Sequence, residues 1–355
     1  MQKAKKRLFS VTAVLLAVLV ALTALLPTAG AAQAATMRSK YTNKSYTHNA
    51  RFNKLEVLNG VDISAWQKKV NWKKIKNDGI DFAILRAGYG KKASQEDAYF
   101  ATNFKNATAA GLPVGIYWYS YAKSVADVEK EARLCLQVLG SRTLDLPVFY
   151  DLEESSQLSK GKAFCTQLVE HFCSIIAAAG HTPGLYMSRS PLLDYIEKET
   201  RGRYALWVAE YGSKTCKYDG DYLMWQYADN GKVAGVNGNT DMDFLYGNKN
   251  SLPGSATLLK SKTYTGKAIT PAPTVTGEDG RPLKADKDYT LTYINNKAVG
   301  MATITAQGLG AYTGRRWYYR FKILPAKVTG LTLESRSKTR LTYIWNATPR
   351  RQRLP

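Results

Sequence analysis

Residues 146–154 read LPVFYDLEE. Leu146 to Tyr150 have the apolar and aromatic make-up of a buried β-strand, yet the run ends in three carboxylates: Asp151, Glu153 and Glu154. A charge beside an apolar strand is costly to bury unless it is paired or hydrogen-bonded. Side chains alternate across a strand, so Phe149, Asp151 and Glu153 share one face and Tyr150, Leu152 and Glu154 the other. What surrounds the strand decides which face looks inward.

Similar runs lie at 58–64 (LNGVDIS), 82–88 (FAILRAG), 113–121 (PVGIYWYSY) and 183–189 (PGLYMSR), each followed by a helix-like stretch such as DVEKEARLCLQVLG at 127–140. Strand centres about 30 residues apart have the spacing of a βαβ unit. Alternating strands and helices predict a parallel sheet. The rhythm then tightens, with runs at 204–210 (YALWVAE), 222–228 (YLMWQYA) and 240–246 (TDMDFLY) that leave little room for helices. Eight strands, only the first five followed by helices, predict an α/β fold, a modified TIM-like (β/α)5(β)3 barrel. The alternative is an open doubly wound sheet; its nucleotide-binding form is weakened because no GxGxxG follows the first strand.

A barrel places its chemistry at the C-terminal ends of its strands. Strand four then aims Asp151 and Glu153 into the mouth. Asp62 in GVDIS ends strand one, and Asp241 and Asp243 in NTDMDF lie on strand eight, which neighbours strand one in a closed barrel. Carboxylates gathered in one cleft raise each other's pKa, which suits a site that needs one protonated acid beside an ionised one. A single Asp at a strand end more often caps a helix or faces solvent; the pair on strand four, together with Asp62 and Asp241, is harder to explain that way. Glu154 falls on the outer face or in the loop and is left out of the site.

Aromatic residues surround the same ends. GIYWYSYA puts Tyr117, Tyr119 and Tyr121 on one face and Trp118 on the other, and Trp66, Trp207, Trp225, Tyr211 and Tyr227 lie near other strand ends. Aromatic faces pack on the apolar faces of sugar rings while carboxyl groups act on a glycosidic oxygen, so the combination points to carbohydrate. For most of these rings taken singly, core filling is the simpler role.

The stretches GVDISAWQ, DFAILRAGYG, GIYWYSYA, VFYDLEE, LWVAEY and MWQYADNGKVAGVNGNTDMDF occur in one order through residues 56–247. Together they resemble glycoside hydrolase family 25, the Chalaropsis-type lysozymes. The resemblance implies an N-acetylmuramidase that cleaves the β-1,4 bond between N-acetylmuramic acid and N-acetylglucosamine, with peptidoglycan glycan strands as its partner. It implies Glu153 as general acid, Asp151 as the group that orients or polarises the acetamido substituent, and Asp62 and Asp241 as residues that shape the cleft. Tyr117, Tyr119, Trp207, Tyr211 and Gln226 are the matching candidates for substrate contact. The family text at the last motif resembles V-D-L-N, so Asp243 replaces an Asn and its role is open. No metal and no cofactor is implied. A non-catalytic cell-wall glycan-binding protein is the alternative reading.

The chain ends set the context. Residues 1–34 carry Lys3, Lys5, Lys6 and Arg7, an apolar run from Val11 to Leu26 and the small-residue site Ala32-Gln33-Ala34. These are the parts of a cleaved secretory signal peptide; the run is short for a span of about 20 residues. A secreted, cell-wall-associated bacterial protein is expected, with no nucleic acid partner and no membrane attachment after cleavage. Residues 35–55, polar and without periodicity, read as a linker to a catalytic barrel at 56–250. Of the formal net charge of +22, residues 257–355 contribute 18 Lys and Arg against 5 Asp and Glu. Their segment 257–325 has alternating runs and Gly, Asn and Pro turns, the pattern of a small all-β Ig-like sandwich. Its charge favours anionic cell-wall polymers. Residues 326–355 resemble an incomplete fibronectin type III start; two strands bury no core alone, so disorder or local packing is expected. The four cysteines, Cys135, Cys165, Cys173 and Cys216, read as buried free thiols.

Overall fold

The computed structural model describes residues 34–344 apart from 250, 251, 253, 255, 278, 279, 328, 329, 331 and 338–340. The leader read at residues 1–34 therefore lies, but for Ala34, outside the described residues. Two short strands come first, β1 (Thr36–Ser39) and β2 (Lys44–Thr47). Eight more follow: β3 (Glu56–Ile63), β4 (Phe82–Tyr89), β5 (Val114–Tyr119), β6 (Val148–Asp151), β7 (Pro183–Ser188), β8 (Ala205–Ala209), β9 (Met224–Gly231) and β10 (Thr240–Gly247). These eight close into a barrel in the order β10-β3-β4-β5-β6-β7-β8-β9. Neighbours from β3 to β9 are parallel, while β10 runs antiparallel to both β3 and β9.

Helices follow the first five barrel strands: α1 (Trp72–Asn77), α2 (Phe100–Ala109), α3 (Val125–Leu139), the pair α4 (Ser155–Leu158) and α5 (Lys162–Ala178), and the pair α6 (Arg189–Tyr195) and α7 (Lys198–Arg203). Residues 210–223 and 232–239 join the last three strands without a helix. The alternation read from β6 is realised. Phe149 joins Phe82, Ile84, Trp207, Met224 and Leu245 inside the barrel. Val148 and Tyr150 face the helical shell, where Tyr150 stacks on Phe172 of α5 at 4.5 Å. The inner layer is tight: a Cβ on Gly60 would lie 2.1 Å from the Phe82 ring. All four cysteines are free and buried.

Residues 35–55 are not a linker. β1 and β2 form an antiparallel hairpin, and Tyr41, Tyr46, His48 and Phe52 are buried. Tyr46 meets Tyr227 at 4.5 Å and Trp225 and Phe244 at 5.7 Å. Phe52 stacks on Tyr246 at 3.9 Å, and His48 Nδ1 bonds the Tyr246 hydroxyl at 2.9 Å. The closing strands β9 and β10 have no helices of their own to cover their outward aromatics, and the hairpin takes that place. Burial lowers the His48 pKa to about 4, so the ring is neutral where it packs.

The C-terminal region departs from the two-sheet expectation. β11 (Thr257–Leu258), β12 (Lys262–Thr263), β13 (Tyr289–Ile294), β14 (Gly300–Gly308) and β15 (Arg316–Leu324) form one sheet. Its own core holds Val275, Ile304, Tyr319 and Phe321. Among the described residues of 264–288 only isolated bridges occur. Pro271, Pro273 and Pro282 lack the N–H that a second ladder needs. The sheet docks on the barrel's helical shell: Ser174 Oγ donates to Asn295 Oδ1 (2.8 Å), and Asn295 Nδ2 donates to the Ser174 carbonyl (2.7 Å). Farther on, β16 (Thr332–Arg336) and β17 (Leu341–Ile344) form an antiparallel hairpin, paired only with each other among the described residues.

Two substitutions test this packing. Tyr46→Ala empties the site between the hairpin and β9–β10 and should cost about 3 kcal/mol in urea unfolding. Gly60→Ala drives a methyl into the Phe82 ring and should cost about 1–3 kcal/mol by the same measurement.

Candidate active site

Closure pairs Asp241 with Asp62 directly across β10 and β3. Because β10 is antiparallel, Asp241 reaches the mouth from the N-terminal end of its strand, not from the C-terminal end as expected. The two carboxyl groups lie close enough to influence each other's protonation, and a proton on one lets it donate to the other. Gln226 Nε2 donates to Asp62 Oδ2 at 2.7 Å. The Gln226 Oε1 accepts from the hydroxyls of Tyr186 (2.7 Å) and Tyr211. Two phenol donors on its oxygen leave Gln226 only its amide hydrogens for Asp62, so the chain of bonds has one direction.

Burial first, and then the charges of Asp241 and Asp243, push the Asp62 pKa well up, with the Gln226 bond opposing. Asp241 rises to about 6, through burial and then Asp229, with the bond to Asp62 opposing. Asp243, two residues farther along the same face, lies deeper and is fully buried. Its Oδ1 accepts from Trp207 Nε1 at 2.7 Å, while Oδ2 has no hydrogen-bond partner among the described residues. Burial holds its pKa well up, against the Trp207 bond.

Asp151 closes the inward face of β6 and is 3% exposed. Its Oδ1 is buried without a hydrogen-bond partner among the described residues. Burial and then Glu153 push its pKa well up, and Arg86 opposes. Glu153 stands on the exposed rim; partial burial, then Glu154 and Asp241, raise its pKa.

Glu154 lies in the loop, one of the two places expected, yet it stands beside the mouth. β6 ends at Asp151, so strand geometry no longer governs residue 154, which is the N-cap of α4. Tyr119 donates to Glu154 Oε1 at 2.8 Å, which brings Glu154 beside the mouth. Tyr117 is half-buried on the inner face of β5, 6.0 Å from Trp207. Trp207 itself was expected as a sugar contact, but it is 2% exposed. It lies below the mouth against Tyr186 and Phe149, as the floor that holds Asp243. Open aromatic faces come instead from Trp66, Tyr121 and Tyr211, which are 81%, 45% and 44% exposed.

Three residues escaped the sequence reading. Arg86 bonds Asp97 at 2.7 Å, and the Asp97 side chain is 0% exposed; a lone cation inside the apolar run FAILRAG was the available signal. Tyr186 carried no mark beyond its strand. Glu131, on α3, is buried behind the mouth. It accepts from Ser120 Oγ and from the Tyr121 backbone N–H, both at 2.8 Å. Gln157 of α4 donates to the same Ser120 at 2.8 Å, so the network ties the loop after β5 to the loop carrying Glu153. Burial lifts the Glu131 pKa to about 7. Among the described residues no group of His, Cys, Asp and Glu side chains is arranged to hold a metal ion.

The signature of glycosyl hydrolases family 25 matches residues 61–236. The uncharacterized protein YegX of Escherichia coli (strain K12) is 30% identical over 201 residues, which cover 54% of this chain and 70% of that protein. The chain belongs to glycosyl hydrolases family 25. It is therefore a glycoside hydrolase. Another relative of this family 25 chain is the autolytic lysozyme of Clostridium acetobutylicum, 26% identical over 52% of this chain and 55% of its own length. The modular autolysin LytC of Streptococcus pneumoniae, solved with a synthetic peptidoglycan ligand, shares the fold. Its TM-score is 0.50 at 22% identity, over 60% of this chain and 52% of that one. β1, β2 and β10 lie outside the segment matched by the family.

Glu154→Gln tests the coupling at the rim. Removing a negative neighbour lowers the Glu153 pKa, and in the general-acid role expected for Glu153 from the sequence, activity is lost as pH rises through that pKa. The alkaline limb of the pH–activity profile should move to lower pH, with the acid limb moving less.

Proposed function

We infer that this family 25 chain is a lysozyme, which hydrolyses the β-1,4 bond between N-acetylmuramic acid and N-acetylglucosamine in bacterial peptidoglycan. The observation that carries the reading is the convergence of Asp62, Asp151, Glu153 and Asp241 on one barrel mouth beneath exposed aromatic faces. Glu153, reachable from solvent and with its pKa raised, donates its proton to the glycosidic oxygen as the bond breaks. Asp151 keeps a buried oxygen free of protein donors, an acceptor for the N–H of the acetamido group beside the reacting carbon. As positive charge develops on the sugar, the negative field of the mouth stabilises it. The Tyr186 and Tyr211 bonds to Gln226 hold the Asp62–Asp241 pair in place, so little has to reorganise during the reaction.

The leader sequence supports secretion, and the excess of Lys and Arg beyond residue 257 supports attachment to anionic wall polymers. Purified chain should clear a peptidoglycan suspension and release reducing muramic acid ends, identified by mass analysis of the products. Glu153→Gln should lower kcat by about 10²–10⁴-fold with the unfolding midpoint retained. A wall-binding protein without catalysis would sediment with peptidoglycan and release no reducing ends.

A further inference from the structure

Beside the mouth runs a groove of about 440 Å³, lined in part by Lys44, Tyr46, Tyr211, Lys214, Tyr227 and Asp229. Its two walls come from different parts of the chain. One is strand β2 of the N-terminal hairpin, which lies outside the segment matched by the family. The other is the loop after β8. The Thr47 N–H donates to the Lys214 carbonyl at 2.7 Å and locks the walls together. The buried pair Tyr46 and Tyr227, 4.5 Å apart, forms the floor, and the Tyr227 hydroxyl is bonded to Ser39 of the hairpin at 3.0 Å.

The groove is continuous with the catalytic mouth. Tyr211 lines it and also donates to Gln226, the donor to Asp62. Asp229 lines it and is among the charges that raise the Asp241 pKa. Lys44, Lys214 and Asp229 are exposed, and none of the three forms an ion pair among the described residues. Two free cations and one free carboxylate therefore stand along an aromatic floor that leads away from the bond to be cut.

Such a lining matches an extended chain that carries carboxylates and an amine. A glycan stripped of peptide offers only the single lactyl carboxylate of each muramic acid, held close to the ring, whereas peptide-bearing peptidoglycan extends a chain with carboxylates farther out and, at a dibasic residue, an amine. We propose that the groove binds the peptide stem next to the cleavage point, with Lys44 and Lys214 receiving its carboxylates, so that the enzyme selects peptide-bearing glycan. The proposal rests on the lysozyme reading. It assigns the hairpin a second task beside covering β9 and β10, that of forming a specificity wall.

The test compares soluble peptidoglycan oligomers that carry their peptides with the same oligomers stripped of them. Binding is followed by calorimetry in the Glu153→Gln chain, and turnover in the active chain. The unaltered groove should bind the peptide-bearing oligomer more tightly. The double variant K44E/K214E should weaken that binding about tenfold at low salt, the scale of two exposed charge contacts reversed in sign. It should leave affinity and turnover on the stripped oligomer unchanged, which also shows that the variant folds. Equal loss on both oligomers, or no loss on the peptide-bearing one, overturns the proposal. Lysine-dependent binding of the peptide-bearing oligomer by a chain that cleaves neither substrate would uphold the groove and overturn the lysozyme reading.

Discussion

The antiparallel pairing of β10 with β3 is the constraint on which the site depends. In a barrel of parallel strands alone, the eighth strand would bring its C-terminal residues to the mouth. Reversal brings its first residues there and sets Asp241 opposite Asp62 in register. The same register sets Asp243 opposite Gly60, which in turn pairs with Phe82 on β4. Gly60 leaves room for the Phe82 ring, and the barrel can then fill its own interior while carrying a carboxyl group in that layer. Closure, core filling and the gathering of acids are one geometric event.

The missing helices have a price in exposed aromatic surface. Trp225, Tyr227, Phe244 and Tyr246 face outward on β9 and β10, where five earlier units would have placed a helix. The N-terminal hairpin covers them with Tyr46, His48 and Phe52. A mainly polar segment does this because only three or four of its side chains need to be buried. Two tyrosines, one histidine and one phenylalanine supply them; the Tyr46 hydroxyl bonds Thr42 within the hairpin, and the His48 ring bonds the Tyr246 hydroxyl across the seam. The hairpin consequently stands beside the mouth, and one structural patch adjoins the catalytic centre.

The mouth collects groups that work against folding. Asp62, Asp151 and Asp243 are all buried, and burial is the largest cause of each raised pKa. Their ionised forms resist burial, so these positions lower the net stability of the fold at neutral pH. What offsets this is a frame of directed bonds: Trp207 to Asp243, Gln226 to Asp62, and Arg86 anchored on Asp97. Behind the rim, Glu131 binds Ser120 and the Tyr121 backbone and so braces the loop after β5, which Gln157 ties through Ser120 to the loop that carries Glu153. The chemistry of the mouth depends on these supports as much as on the acids themselves.

Local pattern was enough for much of this. Two-residue alternation put Asp151 on the face of Phe149, with Glu153 just past the end of the strand, and the spacing of apolar runs was enough to read eight strands and five helical crossovers. Both follow from backbone geometry that each segment carries within itself. Four features lay beyond that reach: the direction of β10, the cover formed by residues 36–52, the inward place of Trp207 and the return of Glu154 to the rim. Each depends on a partner far along the chain, β3 for Asp241, Tyr227 for Tyr46, Asp243 for Trp207 and Tyr119 for Glu154. The sequence by itself determined which residues can line a barrel; the tertiary structure alone decided which of them meet, because hydrogen bonds and ring contacts between distant segments form only once the barrel has closed.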